Sequence, residues 1–152
     1  MDLKSSAFKH EGKIPSLYTC DGENINPPLE INQVPKNAKS LVLIMDDPDV
    51  PKSRRPDGLF VHWVIYNMPP ETTKLAENAT PPGIQGTGTH GKANYFGPCP
   101  PDREHRYFIK LYAIDTVLKL NPGSTKEEVE QAIKGHVIEE TALMGTYVRI
   151  TK

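Results

Sequence analysis

Proline sets the first limit on what this chain can fold into. Its 152 residues include 15 prolines against 11 glycines, and the prolines cluster at 27–28, 48–56, 69–70, 81–82 and 98–101. Proline lacks the backbone N–H that helices and central strands need, but it suits loops and strand edges. A chain punctuated in this way reads as short strands joined by shaped loops.

The segments between the prolines fit that reading. Residues 40–45 (SLVLIM) form a short apolar run that stops at Asp46-Asp47-Pro48, the pattern of a buried strand. Residues 59–68 (LFVHWVIYNM) are rich in β-branched and aromatic side chains and end at Pro69-Pro70; residues 106–115 (RYFIKLYAID) make a third strand. Residues 28–32 and 141–150 are weaker candidates. One helix is expected near the C-terminus. Ser124 precedes Glu127 by three positions, as in a capping box, Val129, Ala132 and Ile133 mark an apolar stripe, and Gly135 is a fitting stop. Residues 71–95 read as a partly ordered loop. With no repeat, low-complexity segment or linker, residues 1–152 form one domain. Several strands and one late helix predict a mainly β chain, an antiparallel β-sandwich with one or two short helices, rather than a βαβ fold.

Composition narrows the function. Lys plus Arg total 18 and Asp plus Glu 19, a formal net charge of −1, which argues against a nucleic-acid binder. No apolar run is long enough to span a bilayer. Met1-Asp2-Leu3-Lys4-Ser5 carries no basic segment followed by an apolar one, so the expected compartment is cytoplasmic. Cys20 and Cys99 form no Cys-x-x-Cys pair and too small a set for a disulfide scaffold. Two free thiols are expected, with no metal site and no cofactor.

Strand alternation suggests where chemistry could gather. Side chains alternate faces along a strand. Strict alternation puts Phe60, His62, Val64 and Tyr66 on one face and Val61, Trp63 and Ile65 on the other. It also puts His105, Tyr107, Ile109 and Leu111 together, opposite Arg106, Phe108 and Lys110. Two histidines and a tyrosine hydroxyl on inward faces could converge as donors to an oxyanion. Each residue alone has a plainer reading: a histidine in an apolar strand is more often a hydrogen-bonded core residue, and 46–49 is more often an Asx turn.

Taken together, the motifs resemble the phosphatidylethanolamine-binding protein family, also called Raf kinase inhibitor-like, in its bacterial and archaeal branch. They run in order through nearly the whole chain: Ile14-Pro15, Tyr18-Thr19-Cys20-Asp21-Gly22, Asn26-Pro27-Pro28-Leu29, Asp47-Pro48-Asp49-Val50-Pro51, and Val61-His62-Trp63 with Asn67. After these come Tyr95-Phe96-Gly97-Pro98-Cys99-Pro100-Pro101, His105-Arg106-Tyr107, Gly135-His136-Val137 and Gly145-Thr146-Tyr147. The resemblance implies an antiparallel sandwich with Greek-key topology and a small cavity for phosphate, phosphorylethanolamine or similar anions. That cavity would be lined by Asp47, His62, Gly97, Pro98, His105 and Tyr107, with Phe60 as an aromatic wall. It further implies a cis bond at Val50–Pro51 and proximity of Cys20 to Cys99.

Two departures from the family pattern stand out: Asn26 replaces the usual serine, and the charged bridge Asp102-Arg103-Glu104 leads into His105. The expected function is binding without chemistry, not an enzyme. His62, His105 and Tyr107, with a backbone N–H near Gly97, would donate to the anion. Asp47 would orient a histidine and keep it protonated, or receive an ammonium group. Arg106 faces away and would pair with an Asp of the 46–49 loop. Partners of this kind are a phosphate-containing anion or phospholipid head group, a protein kinase or protease that the chain inhibits, or a second copy in a homodimer. A phosphoester-processing enzyme using His, Asp and Tyr is the alternative from another class.

Overall fold

The computed structural model describes residues 1–149. Two sheets carry the fold. The larger is built on β4 (Ser40–Asp47), β5 (Phe60–Met68), β8 (His105–Ile114) and β9 (Val137–Tyr147), extended by the short β2 (Gly12–Lys13) and β7 (Ile84–Gln85) in the order β2-β9-β8-β4-β5-β7. The smaller has the order β1-β3-β6 from Asp2–Lys4, Leu29–Asn32 and Lys74–Leu75. Pairing is antiparallel except between β2 and β9. The chain is thus mainly β, as its proline spacing implies. β1, β2 and the two strands inside 71–95 are too short to show a period in the sequence.

The main core lies between the sheets. Leu3, Leu29, Ile31 and Leu75 of the small sheet meet Leu41, Leu43, Met45, Trp63, Ile65, Tyr107, Ile109 and Leu111 of the large one. The opposite face of the large sheet packs Val42, Ile44, Val61, Val64 and Tyr66 against Leu118 and against Val129 and Ile133 of α1 (Lys126–Ile133). Because β4 is covered on both faces, all its residues from Ser40 to Asp47 are buried, which is why it reads as a continuous apolar run rather than an alternating one. The helix is capped by Thr125, not Ser124. The Thr125 side chain accepts from the Glu128 N–H while Glu128 reaches back to the Thr125 N–H, so the capping box stands one residue later than expected. Ser124 instead donates its hydroxyl to the Asn121 carbonyl.

Strand β5 carries two bulges. Opposite β4, Leu41 pairs with Met68 but Leu43 with Ile65, leaving Tyr66 and Asn67 across from Val42 alone; Asn67 takes the left-handed conformation, φ 56°. Met45 then pairs with Trp63 but Asp46 with Val61, so His62 is an extra residue. This second bulge overturns the strict alternation expected of 60–66. Val61 joins Val64 and Tyr66 on the helix side, while Phe60 and His62 turn toward the face that carries Asp47 and Tyr107. On β8 alternation holds: Tyr107, Ile109 and Leu111 point into the main core and Lys110 reaches Asp46 on the other side, 3.1 Å away.

Candidate functional site

The site forms where the C-terminal end of β4 meets the N-terminal ends of β5 and β8. Here the core face changes from apolar to polar. Asp47, His62, His105 and Tyr107 are all buried. Three loops close over this end, residues 15–24, 48–59 and 96–104.

Hydrogen bonds fix the arrangement. Asp47 Oδ2 lies 2.7 Å from His105 Nδ1, and Asp47 Oδ1 accepts the Asp49 N–H at 2.7 Å. His105 Nε2 lies 2.7 Å from Asp102 Oδ1, so both of its ring nitrogens are engaged by carboxylates. Asp49 receives the Arg106 backbone N–H at 2.9 Å and its guanidinium at 2.8 and 2.9 Å. Arg106 is therefore the partner of the 46–49 loop and lies on the far face of β8. His62 Nδ1 lies 2.5 Å from the Phe96 carbonyl, and the Phe96 N–H returns a 3.1 Å bond to the His62 carbonyl. The His62 ring meets Tyr107 edge-on at 5.3 Å and Phe60 at 4.6 Å.

Beside these groups opens a cavity of about 460 Å³. Asp47, Phe60 and His62 line it together with Arg54, Arg55 and Phe96. His105 and Tyr107 do not line it. They form the layer behind, His105 bonded to Asp47 and Tyr107 against the His62 ring. Gly97 and Pro98 also act from behind the wall. The Gly97 N–H donates to Asn24 Oδ1 at 2.7 Å, and the Pro98 carbonyl accepts from the Cys20 N–H at 3.1 Å. The expected ligand donor at Gly97 is thus already committed to Asn24. Gly97 is required for another reason: a Cβ there would strike the Tyr18 carbonyl oxygen and the Asn24 side chain.

Two further expectations are corrected. Cys20 and Cys99 are not free thiols; they form a disulfide with Cα atoms 5.4 Å apart. The Cys20–Pro98 backbone bond holds the two motifs face to face, well inside bridging range. Val50–Pro51 is trans. The loop turns without it, through the Asp47–Asp49 Asx bond and through the Pro51 carbonyl, which accepts the N–H groups of Arg54 and Arg55 at 2.9 and 3.1 Å.

The departures also find places. Asn26 holds the loop at 76–79, donating to the Ala76 carbonyl at 2.9 Å and accepting from the Ala79 N–H at 3.1 Å. Glu104 turns away to Lys13, 2.7 Å distant, and Arg103 reaches the Asp49 carbonyl at 3.5 Å.

Burial governs the electrostatics. It pushes the His62 imidazole down to about 4, against the opposing pull of the Phe96 carbonyl. Burial therefore favours the neutral His62 imidazole near pH 7. Burial raises the Asp47 carboxyl, opposed by its bonds to His105 and the Asp49 N–H. It also raises the Tyr107 phenol, helped by the Asp47 charge. Asp49 moves the other way, to about 2, chiefly through the Arg106 guanidinium. The positive charge at the cavity is carried by Arg54 and Arg55. Strand-pattern reasoning missed both, although two consecutive arginines between Pro51 and Pro56 were a visible signal.

Among the described residues no group of three or more His, Cys, Asp or Glu side chains is placed to hold a metal ion. No helix among them is long and apolar enough to cross a membrane.

Fold and site together define a two-sheet β protein with a cavity at its strand ends that sets two arginines, Asp47 and His62 among apolar walls. The chain belongs to the phosphatidylethanolamine-binding protein family, whose model matches residues 4–148. A UPF0098 protein of the archaeon Methanothermobacter thermautotrophicus is 52% identical over 155 residues, covering 98% of this chain and 99% of the relative. A crystal structure of a phosphatidylethanolamine-binding protein homologue from Chlamydia trachomatis superposes with TM-score 0.94 at 49% identity, covering 97% of this chain and 96% of that one. The structure of Escherichia coli YbcL, described as a member of the mammalian family, superposes with TM-score 0.87 at 26% identity, covering 97% and 98%.

Proposed function

We propose that this protein binds a phosphate-type anion, free or as a phosphorylated head group, in the cavity beside His62, and does no chemistry on it. The observation that carries the reading is a pair of buried polar atoms without partners, His62 Nε2 and the Tyr107 hydroxyl, beside a cavity that also holds two arginines. Buried polar atoms normally have partners, so an unpaired set at a cavity calls for a ligand or water. The Arg55 Nε is committed to the Leu59 carbonyl at 2.8 Å, which leaves its outer nitrogens and the Arg54 guanidinium to face an anion.

Each residue has a distinct role in this reading. Arg54 and Arg55 supply charge, Phe60 and Phe96 form the walls, and His62 meets the ligand at depth, with Tyr107 behind its ring. His105 is a positioning residue, because its nitrogens are occupied by Asp47 and Asp102. Cys99, which lines the cavity, is bonded to Cys20 and offers no nucleophile, which favours binding over covalent catalysis. Family membership and the name of the Chlamydia trachomatis homologue support the same ligand class.

The experiment is calorimetric titration with inorganic phosphate and phosphorylethanolamine, paired with a phosphoester turnover screen. Saturable binding that weakens about tenfold or more in Arg54→Ala/Arg55→Ala, without turnover, is expected. Turnover of a phosphoester would replace this reading by the enzymatic one, and absence of binding would end it.

A further inference from the structure

We propose a second ligand site, separate from the anion cavity, for an uncharged group that offers acceptor oxygens, an N-acyl group being the best match. It is an open pocket of about 240 Å³. Tyr95 lines it, whereas the next residue, Phe96, lines the anion cavity, so one stretch of chain serves both. Five of the lining residues are carboxamides, Asn24, Asn26, Asn78, Gln85 and Asn94, and none of the described residues lining it is charged.

The orientation of the carboxamides decides what they can bind. A carboxamide oxygen only accepts, and its NH2 only donates. The Gly97 N–H donates to Asn24 Oδ1 at 2.7 Å, and the Trp63 indole N–H donates to Gln85 Oε1 at 2.8 Å. His90 Nε2 lies 2.7 Å from Asn94 Oδ1, so it too is the donor. Each of the three oxygens is thereby committed, and each of the three NH2 groups has no protein partner among the described residues. Asn26 differs. Both of its ends are committed, to the Ala76 carbonyl and the Ala79 N–H, and it fixes the 76–79 turn. The pocket thus presents neutral donors already held in place, and little rotamer freedom is left to lose on binding. A phosphate would find no counter-charge here, unlike in the cavity that holds Arg54 and Arg55. An amide carbonyl is a stronger neutral acceptor than an ester or a hydroxyl, and it carries no charge to desolvate.

Trp63 is the single tryptophan, and its bond to Gln85 makes it a reporter for this pocket. The probe is N-acetylglucosamine, with glucose as the same ring lacking the acyl group. The wild-type protein is titrated with each, followed by Trp63 fluorescence and by the side-chain NH2 signals in proton–nitrogen NMR spectra. Saturable binding of N-acetylglucosamine is expected, at least about fivefold tighter than that of glucose, and unchanged by excess inorganic phosphate. Asn24→Asp and Gln85→Glu keep the oxygen that Gly97 or Trp63 holds and exchange the NH2 for a carboxylate oxygen. Each variant, checked for folding by circular dichroism, should weaken binding at least about fivefold. No saturable response in the wild-type protein, equal binding of the two sugars, or unchanged binding in both variants would overturn the site. Competition by phosphate would place the probe in the anion cavity and overturn it as well.

Discussion

Removing the Cys20–Cys99 bond gives the largest single change in stability that the structure allows to be calculated. The two residues are 79 positions apart, so the bond closes a loop of more than half the chain. Restricting the unfolded ensemble by a loop of that length is worth about 4.5 kcal/mol at room temperature in the chain-entropy account. Native geometry should survive the loss. Cys20 N still bonds the Pro98 carbonyl at 3.1 Å, Gly97 N still bonds Asn24 at 2.7 Å, and Asp21 still holds Tyr147 at 2.6 Å and Arg149 at 2.8 Å. The cost therefore falls on the unfolded side. The assay is urea unfolding of the oxidised protein against Cys20→Ser/Cys99→Ser, each followed by far-ultraviolet circular dichroism. The variant should lose about 3–4.5 kcal/mol, the lower figure allowing for residual structure in the unfolded chain. Its denaturant dependence should steepen, because an uncrosslinked chain exposes more surface when it unfolds. A loss below about 1 kcal/mol, with folding still two-state, would refute the reasoning. It would mean that the 15–24 and 96–104 loops are coupled in the unfolded chain without the bond.

Two further predictions concern residues that support the site. Asp49 is held near 2 by Arg106, below its unfolded value, so its contribution is fully present above about pH 4 and is lost as pH falls toward 2. Because Arg106 is half exposed, we expect about 1 kcal/mol after allowing for solvent screening. The difference between wild type and Asp49→Asn in acid titrations of stability should vanish over that window, and a constant difference down to pH 2 would contradict the assignment. Asp46 and Asp47 are shifted upward by burial and act in the opposite sense, which is why the subtraction is needed. Gly97→Ala should cost about 2–3 kcal/mol in thermal unfolding, because its Cβ would meet backbone of the 15–24 loop that cannot give way. A neutral result would show that this loop can shift.

How much could be read from the sequence depends on the type of signal. The apolar run of β4, the alternation of β8 and the amphipathic stripe of α1 are local patterns, and each element lies within a few residues of its expected place. What was hidden depends on pairing. A bulge is defined by the partner strand, so nothing within 59–68 marks His62 as the extra residue. Phe60 and His62 do stand near Tyr107, but by a bulge rather than by the shared parity that first suggested it. Spacing alone could not show the Cys20–Cys99 bond for a similar reason, since two cysteines far apart in sequence give no geometry; the family resemblance implied only that they are near. Arg54 and Arg55 were overlooked because strand patterns direct attention to strands, and these two are carried by a loop.

The His62 bulge has a consequence for how the site can work. On an unbroken strand His62 would share the face of Val64 and Tyr66 and would pack under α1, remote from Asp47. The extra residue turns it to the cavity side, and the paired His62–Phe96 bonds then settle which nitrogen carries the proton. Asp47 and His105 need no such device, because β4 and β8 deliver them to the same end by ordinary pairing. The two histidines therefore do different work. His105, with a carboxylate at each nitrogen, fixes the Asp47 side chain in place. His62, with one nitrogen tied and one bare, is the member that lines the cavity. A variant that straightens β5 by deleting His62 should leave the Asp47–His105 pair intact and weaken phosphate binding in calorimetric titration. That outcome would separate the structural histidine from the recognising one.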